Sequence, residues 1–253
     1  MSENTSAGTW SQPGLPLYLQ VRRRIADIIR TGQWRPGEAI PNEHQLCEQF
    51  KVSMGTLRKA IDELVASGLL VRQQGRGTFV GQHSQDRYLF TFFHLVSHDG
   101  HKEYPDVRFL KFQAAAAGQD AADALAVNVG APLWHLTNLL SLRGEAVSVD
   151  EIFLPAALFP GLTADRLRGR KATLYQMYQD AFDITVVRAA ERVRSVSATR
   201  TQARLLEVES GSPLLQIIRR VNTFQDKPVE LRYSYVNTAR CEYSPNAYAH
   251  QSS

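Results

Sequence analysis

The segment "QFKVSMGTLRKAIDELVASGLLVRQQGRGTFV", residues 49–80, leaves the chain few ways to fold. A three-residue break, "KVS", separates two stretches of helical rhythm. Ser53 is placed to cap the second stretch, whose buried stripe is Leu57, Ile61, Leu64 and Val65. Gly68 stops that helix, and residues 69–71 and 78–80 read as two short strands joined by "QQGRG". Upstream, residues 17–30 form an amphipathic helix with Leu17, Val21, Ile25, Ile28 and Ile29 as its stripe, ended by Gly32. Pro36-Gly37 turns the chain, and Asn42 can cap a short helix over residues 43–50 with Leu46 and Phe50 inward.

A short helix, a tight turn and a longer helix make helix-turn-helix geometry, which lays the start of the second helix on base edges in the major groove. Thr56, Arg58 and Lys59 stand at that start. Arg58 suits guanine O6 and N7, and Thr56 suits a phosphate or a thymine methyl. The two strands then form a wing. Gly75 and Gly77 allow a tight loop whose backbone approaches a duplex, and Arg76 at the tip reaches a phosphate or the minor groove. The competing reading is a three-helix bundle with solvated arginines and a hairpin of no consequence. An exposed arginine between two glycines favours the duplex, and the net charge of +4 admits nucleic acid without demanding it.

Beyond residue 81 the texture changes. Strand-like runs appear at residues 88–96, 133–142, 147–154, 185–197, 214–223 and 229–236, and helix-like runs at 121–126, 173–181 and 199–206. The tip of the last hairpin falls at residues 225–228. Mostly hairpin-connected strands mixed with helices give an α+β domain. The expected division is a loose arm (1–14), a small helical domain (15–81), a linker (82–87), an α+β domain (88–246) and a tail (247–253). Hydrophobic residues make up 43% of 253, enough for two cores. Cys47 and Cys241 form no CxxC pair, so a reducing compartment is expected, without a disulfide framework or zinc knuckle. The N-terminus lacks the pattern of a signal peptide, and no apolar run approaches the roughly 20 residues of a membrane span. A soluble cytoplasmic protein is expected. His94, His98 and His101 raise the question of a metal, but Asp99-Gly100 between them reads as a turn and no cysteine is near; no metal is expected. No cofactor is expected either: "GRG" is too short for a phosphate loop, and no Walker loop, GxGxxG segment or Ser-His-Asp order stands out.

The string from Pro16 to Val80 resembles the winged-helix domain of the GntR family of bacterial transcription regulators. The residues that carry it are the "PLY" opening, "PGE…P.E", "VS..T.RKA...L...GLL" and "QGRGTFV". The resemblance implies a DNA-binding set of Ser53, Met54, Thr56, Arg58, Lys59, Arg72, Gly75, Arg76, Gly77 and Thr78. Two positions depart from the family pattern. Asn42 replaces the usual serine, and Met54 stands where the family usually carries a DNA-contacting arginine.

Residues 88–243 resemble, more loosely, the UTRA effector-binding domain of the HutC subfamily, similar in fold to chorismate lyase. The matching features are "DEIFLP…FPGL", "ATLYQMYQDAFDITVVRAAERVRSVSA", "GSPLLQIIRR" and "KPVELRYSYVN". The resemblance implies ligand contacts at Phe92, Phe93, His94, Glu151, Thr173, Tyr175 and Glu230. Each has a plainer alternative: the phenylalanines as core, the carboxylates as solvated strand residues, Thr173 as a helix cap. Members that bind sugar phosphates place two arginines on the strand before "FLP"; here Leu139 and Ser141 lie near those places, and Arg143 beside Gly144 looks like a turn residue. Without fixed positive charge a phosphate is poorly held, so an organic acid or other polar metabolite is expected rather than a phosphosugar. The whole implies a homodimeric repressor on a pseudo-palindromic operator, released by a metabolite. Two alternatives stay open: an enzyme retaining lyase-like chemistry in the second domain, and a constitutive DNA-binding dimer.

Overall fold

The computed structural model describes residues 14–82 and 92–245. The expected arm up to residue 13, the linker beyond Gln82, the opening of the run at 88–96 and the tail 247–253 lie outside the described residues. The chain divides into two compact units, residues 1–82 and 83–253.

The first unit opens with α1 (Leu17–Arg30), which buries Val21, Ile25, Ile28 and Ile29. Leu17, expected in this stripe, is the helix's first residue and lies 45% exposed; Gln20 is buried instead, its amide donating to the Leu15 carbonyl at 2.7 Å. In α2 (Glu43–Phe50), Asn42 and Gln45 form a reciprocal capping box, and Leu46 and Phe50 turn inward. Lys51, in the left-handed conformation, ends α2. Ser53 caps α3 (Met54–Ala66) by accepting from the Thr56 N–H at 3.3 Å. The buried stripe of α3 is Leu57, Ala60, Ile61 and Leu64, with Val65 only half-buried.

Strands β1 (Leu70–Gln73) and β2 (Gly77–Val80) pair antiparallel as the wing, Gln73 opposite Gly77. A hairpin of two short strands is marginal alone. Here the chain before α2 clasps it: Gly37 N–H donates to the Val80 carbonyl (2.9 Å), Ile40 N–H to Thr78 (2.9 Å) and Val80 N–H to Glu38 (2.8 Å).

The second unit is built on a six-stranded antiparallel sheet and a two-stranded ribbon. The ribbon pairs β3 (Leu95–Val96) with the late strand β10 (Glu242–Tyr243). Next come β4 (Asp106–Ala116), α4 (Gln119–Leu125), β5 (Pro132–Leu142), β6 (Glu145–Pro155), α5 (Ala164–Arg168) and α6 (Leu174–Phe182). Then follow β7 (Arg188–Ser197), α7 (Arg200–Leu206), β8 (Pro213–Asn222) and β9 (Pro228–Val236). The large sheet runs β4-β5-β6-β9-β8-β7. Antiparallel sheets with helices beside them make this an α+β fold. Strand β4 and helix α5 are additions to the expected elements. Of the described residues in the expected run 88–96, only Leu95 and Val96 are strand.

Alternation along the strands divides the side chains between two faces. One face carries Leu136, Leu140, Ile152, Leu154, Ile217 and Val236, and α6 lays Leu174, Tyr175, Met177 and Tyr178 into the same core. The other carries two smaller clusters. Leu139 and Val149 meet Ala203 and Leu206 of α7, and Leu133 and Leu231 meet Ala122 and Leu125 of α4.

Candidate functional site

In the first unit the residues at the start of α3 and on the wing have distinct partners. The Ser53 and Thr56 hydroxyls lie 2.9 Å apart, tied into the helix cap. Arg58 is exposed and holds Glu43 of α2 at 2.8 Å. That hydrogen bond, reinforced by the carboxylate's charge, raises the Arg58 pKa further. An exposed ion pair of this kind is worth little, so Glu43 holds Arg58 only weakly. Arg72 pairs with Asp62 of α3 at 2.7 Å, which ties the wing to that helix. Arg76 sits at the wing tip with its guanidinium 5.7 Å from the Phe79 ring centroid. Gly75 and Gly77 have φ of 71° and 111°, conformations that L side chains rarely adopt, so both positions favour glycine. Thr78 lies opposite Arg72 in the hairpin.

Two residues expected to face DNA have partners on other helices. Lys59 reaches back to α1 and places its ammonium 4.0 Å from the Tyr18 ring centroid, a cation–π contact. Met54 is half-buried, with its sulfur 4.0 Å from the Cys47 sulfur on α2. It packs the two helices together.

In the second unit a buried polar cluster crosses the α6-covered face of the sheet. Glu230 on β9 is fully buried. It accepts from the Tyr178 hydroxyl at 2.7 Å, the Tyr175 hydroxyl at 3.4 Å and Arg232 Nε at 2.9 Å. Arg232, also on β9, donates through Nη1 to Asp150 of β6 at 3.1 Å, and Asp150 accepts from the Ser148 hydroxyl at 3.0 Å. Burial, with the Glu230 charge beside it, pushes the Tyr178 phenol well above its ordinary pKa, so Tyr178 stays a donor. The Phe92 ring meets Tyr175 edge-on at 5.0 Å. Across β5–β6, Asn138 stands directly opposite Asp150. Asn138 is 2% exposed, and its Oδ1 has no hydrogen-bond partner among the described residues.

A second network lies on the same face. Arg219 of β8 donates to Glu191 of β7 at 2.5 Å and to the Phe92 carbonyl. Glu191 also holds the His94 ring at 2.9 Å and accepts from the Tyr243 hydroxyl. Burial pushes the Glu191 carboxyl up, but the His94 hydrogen bond, the Arg219 charge and the Tyr243 hydroxyl outweigh it and hold the pKa at about 2.

The structure therefore brings Phe92, Tyr175 and Glu230 together and links His94 to them through Arg219. Phe93 is a core residue, 4% exposed. Thr173 is buried and caps α6, accepting from Gln176 N–H at 3.1 Å. Glu151 faces away from this cluster, in register with Thr137 and Tyr233, and its neighbour Asp150 lies within it. Leu139 likewise packs on α7, while Asn138, flanked by Leu136 and Leu140, is on the cluster's side. Arg143 is a turn residue, φ 50°, bound to Asp99 at 2.9 Å. The histidines go to separate partners, His94 to Glu191 and His98 to Glu242. Among the described residues no group of three metal-binding side chains occurs. Sequence reading missed Asn138, Asp150, Tyr178, Arg219 and Arg232. The period of two along β6, with Ile152 and Leu154 inward, was the signal that singles out Asp150 over Glu151.

A winged helix-turn-helix unit with an α+β unit that encloses a polar cluster defines a DNA-binding transcriptional regulator. Residues 17–80 match the bacterial regulatory proteins of the gntR family and residues 100–242 match the UTRA domain. The chain belongs to the GntR family, in the HutC-type branch whose members carry a UTRA domain. It is 32% identical over 215 residues to an Escherichia coli K12 protein named as a repressor of a fructoselysine utilization operon, covering 85% of this chain and 88% of that one. It is 31% identical over 209 residues to the histidine utilization repressor of Pseudomonas putida, covering 81% and 82%. Among solved structures, the ligand-binding domain of a Bordetella bronchiseptica protein assigned to the GntR-family regulators superposes with a TM-score of 0.57 at 32% identity, covering 60% of this chain and 94% of that one. Among the described residues no helix is long and apolar enough to cross a membrane.

Proposed function

We propose that this protein is a cytoplasmic transcriptional repressor with a DNA-reading domain over residues 15–81 and an effector domain over residues 88–246. Two copies, joined through the effector domains, present two recognition helices and two wings to a pseudo-palindromic operator. Ser53, Thr56, Arg58, Arg72, Arg76 and the wing glycines form the reading surface, and Met54 and Lys59 support it from behind. A small polar metabolite binds at the cluster of Asn138, Asp150, Tyr175, Glu230 and Arg232.

The observation that carries this reading is the cluster itself. Packed apolar residues of similar volume hold a sheet as well as buried ion pairs do, so a buried charged group with a vacant acceptor beside it calls for an explanation beyond stability. The names of the relatives, which refer to the use of fructoselysine and of histidine, support a catabolic metabolite as the signal. The β5 positions on the cluster's face are Leu136, Asn138 and Leu140, which supply no positive charge and disfavour a phosphosugar. The ligand acts by binding the released geometry more tightly than the operator-bound one, and operator DNA weakens its binding by the same factor.

A thermal-shift screen of metabolites, followed by operator-release measurements, tests the proposal. Saturable stabilisation together with release is expected. A compound that stabilises the protein and leaves it on the operator refutes ligand control. Conversion of a bound compound to product, lost in Glu230→Gln, would instead identify an enzyme.

A further inference from the structure

We infer that the effector carries a protonated amine, and neither a carboxylate nor a phosphate, at the end that meets Asp150. The inference rests on the cluster being the effector site. Asp150, Glu230 and Arg232 are each at most 3% exposed, so two carboxylates share one guanidinium. Among the described side chains the cluster is one negative charge in excess. Glu230 is saturated by two tyrosine hydroxyls and Arg232 Nε. Asp150 accepts from Ser148 and from one Arg232 N–H, and a carboxylate has about four acceptor sites. Asn138 lies directly opposite Asp150 in the β5–β6 register, and its Oδ1 is an acceptor, buried and without a partner among the described residues.

Both vacancies therefore require donors. The other nearby cation, Arg219, is committed to Glu191 and the Phe92 carbonyl, and Leu140 fills the next position on Asn138's face. An incoming carboxylate or phosphate would meet the like charge of Asp150 in a region shielded from water, where such repulsion is strong. Hydroxyl groups alone would satisfy Asn138 and leave the excess charge in place. An ammonium group meeting Asp150 and Asn138 Oδ1 answers both.

Four compounds on one carbon skeleton test this with the full-length protein: glucamine, sorbitol, gluconate and sorbitol 6-phosphate, with thermal shift and calorimetry as readouts. Glucamine is expected to bind saturably at millimolar concentration, at least about tenfold tighter than sorbitol, with no binding of the two anions. Asp150→Asn and, separately, Asn138→Leu are each expected to weaken glucamine at least about tenfold. Circular dichroism and the thermal midpoint of each unliganded variant establish that it is folded. No glucamine binding to the wild type at millimolar concentration overturns the amine. Gluconate binding that Asp150→Asn strengthens leaves the site standing and overturns the amine. Glucamine binding indifferent to both substitutions places the ligand elsewhere and overturns the site.

Discussion

Replacing Glu191 by glutamine removes the carboxylate that Arg219, His94 and Tyr243 share. Holding this carboxyl at about 2 instead of the ordinary 4.5 corresponds to about 3 kcal/mol of folding stability at neutral pH. The same size follows from the other side, since stripping one partner from a buried pair costs about 3–5 kcal/mol, and Arg219 is only 6% exposed. Because the folded pKa is depressed, the contribution is complete above about pH 4.5 and is lost as the pH falls towards about 2. The assay is urea unfolding of wild type and Glu191→Gln over that range, in a background where Trp10 and Trp34 are phenylalanine. The remaining indole, Trp134, packs 5.0 Å from Phe112 and donates to the Phe159 carbonyl, so it reports the second unit. The gap between the two proteins should be about 3 kcal/mol at neutral pH and should close below about pH 2. A gap of that size that persists unchanged to pH 2 would refute the assignment of the effect to the Glu191 charge.

Three perturbations address the reading surface. Arg58→Ala should weaken operator binding by about ten- to a hundredfold and relax preference at one base pair, read by competition with base-substituted operators; equal weakening on all sequences would make Arg58 a phosphate contact. Arg76→Ala should lower the salt slope of binding by about one per subunit, and an unchanged slope counts against a phosphate contact at the wing tip. Met54→Arg should tighten binding to an operator of the ordinary family type while loosening α2 against α3, seen as a lower thermal midpoint of the first unit; a neutral effect on both would show that the half-buried methionine neither packs nor discriminates.

The first unit was legible almost to the residue because each element carries its own punctuation. Asn42 and Ser53 cap, Gly68 stops a helix, and Gly75 and Gly77 occupy turn conformations. These are local signals, independent of the rest of the fold. The partners of Lys59 and Met54, Tyr18 and Cys47, lie on other helices, and periodicity along α3 carries no record of them. In the second unit β5, β6, β8 and β9 announce themselves by apolar runs. Strand β4 does not: its sequence, "DVRFLKFQAAA", is that of a half-exposed edge strand ending in alanines, which favour helix. The cluster was half visible. Tyr175 and Glu230, singled out by resemblance, lie in the cluster, whereas Glu151 lies on the opposite face and the two-residue period along β6 points to Asp150. Asn138 and Arg232 become meaningful only once β5, β6 and β9 are side by side.

The clasp of residues 37–40 on the wing has a consequence for control. It binds both ends of β2 to the chain that enters α2, while Arg72 fastens β1 to α3. Tip and helix thus behave as the two jaws of a caliper locked at one opening when the domain folds. A duplex is gauged by this opening without reshaping it, so little ordering cost falls on the encounter with DNA. The signal has no hinge to work on inside the caliper. In the proposed dimer the effector then acts on how the two calipers are carried, and mutations that spoil induction while sparing DNA affinity should fall outside residues 15–81.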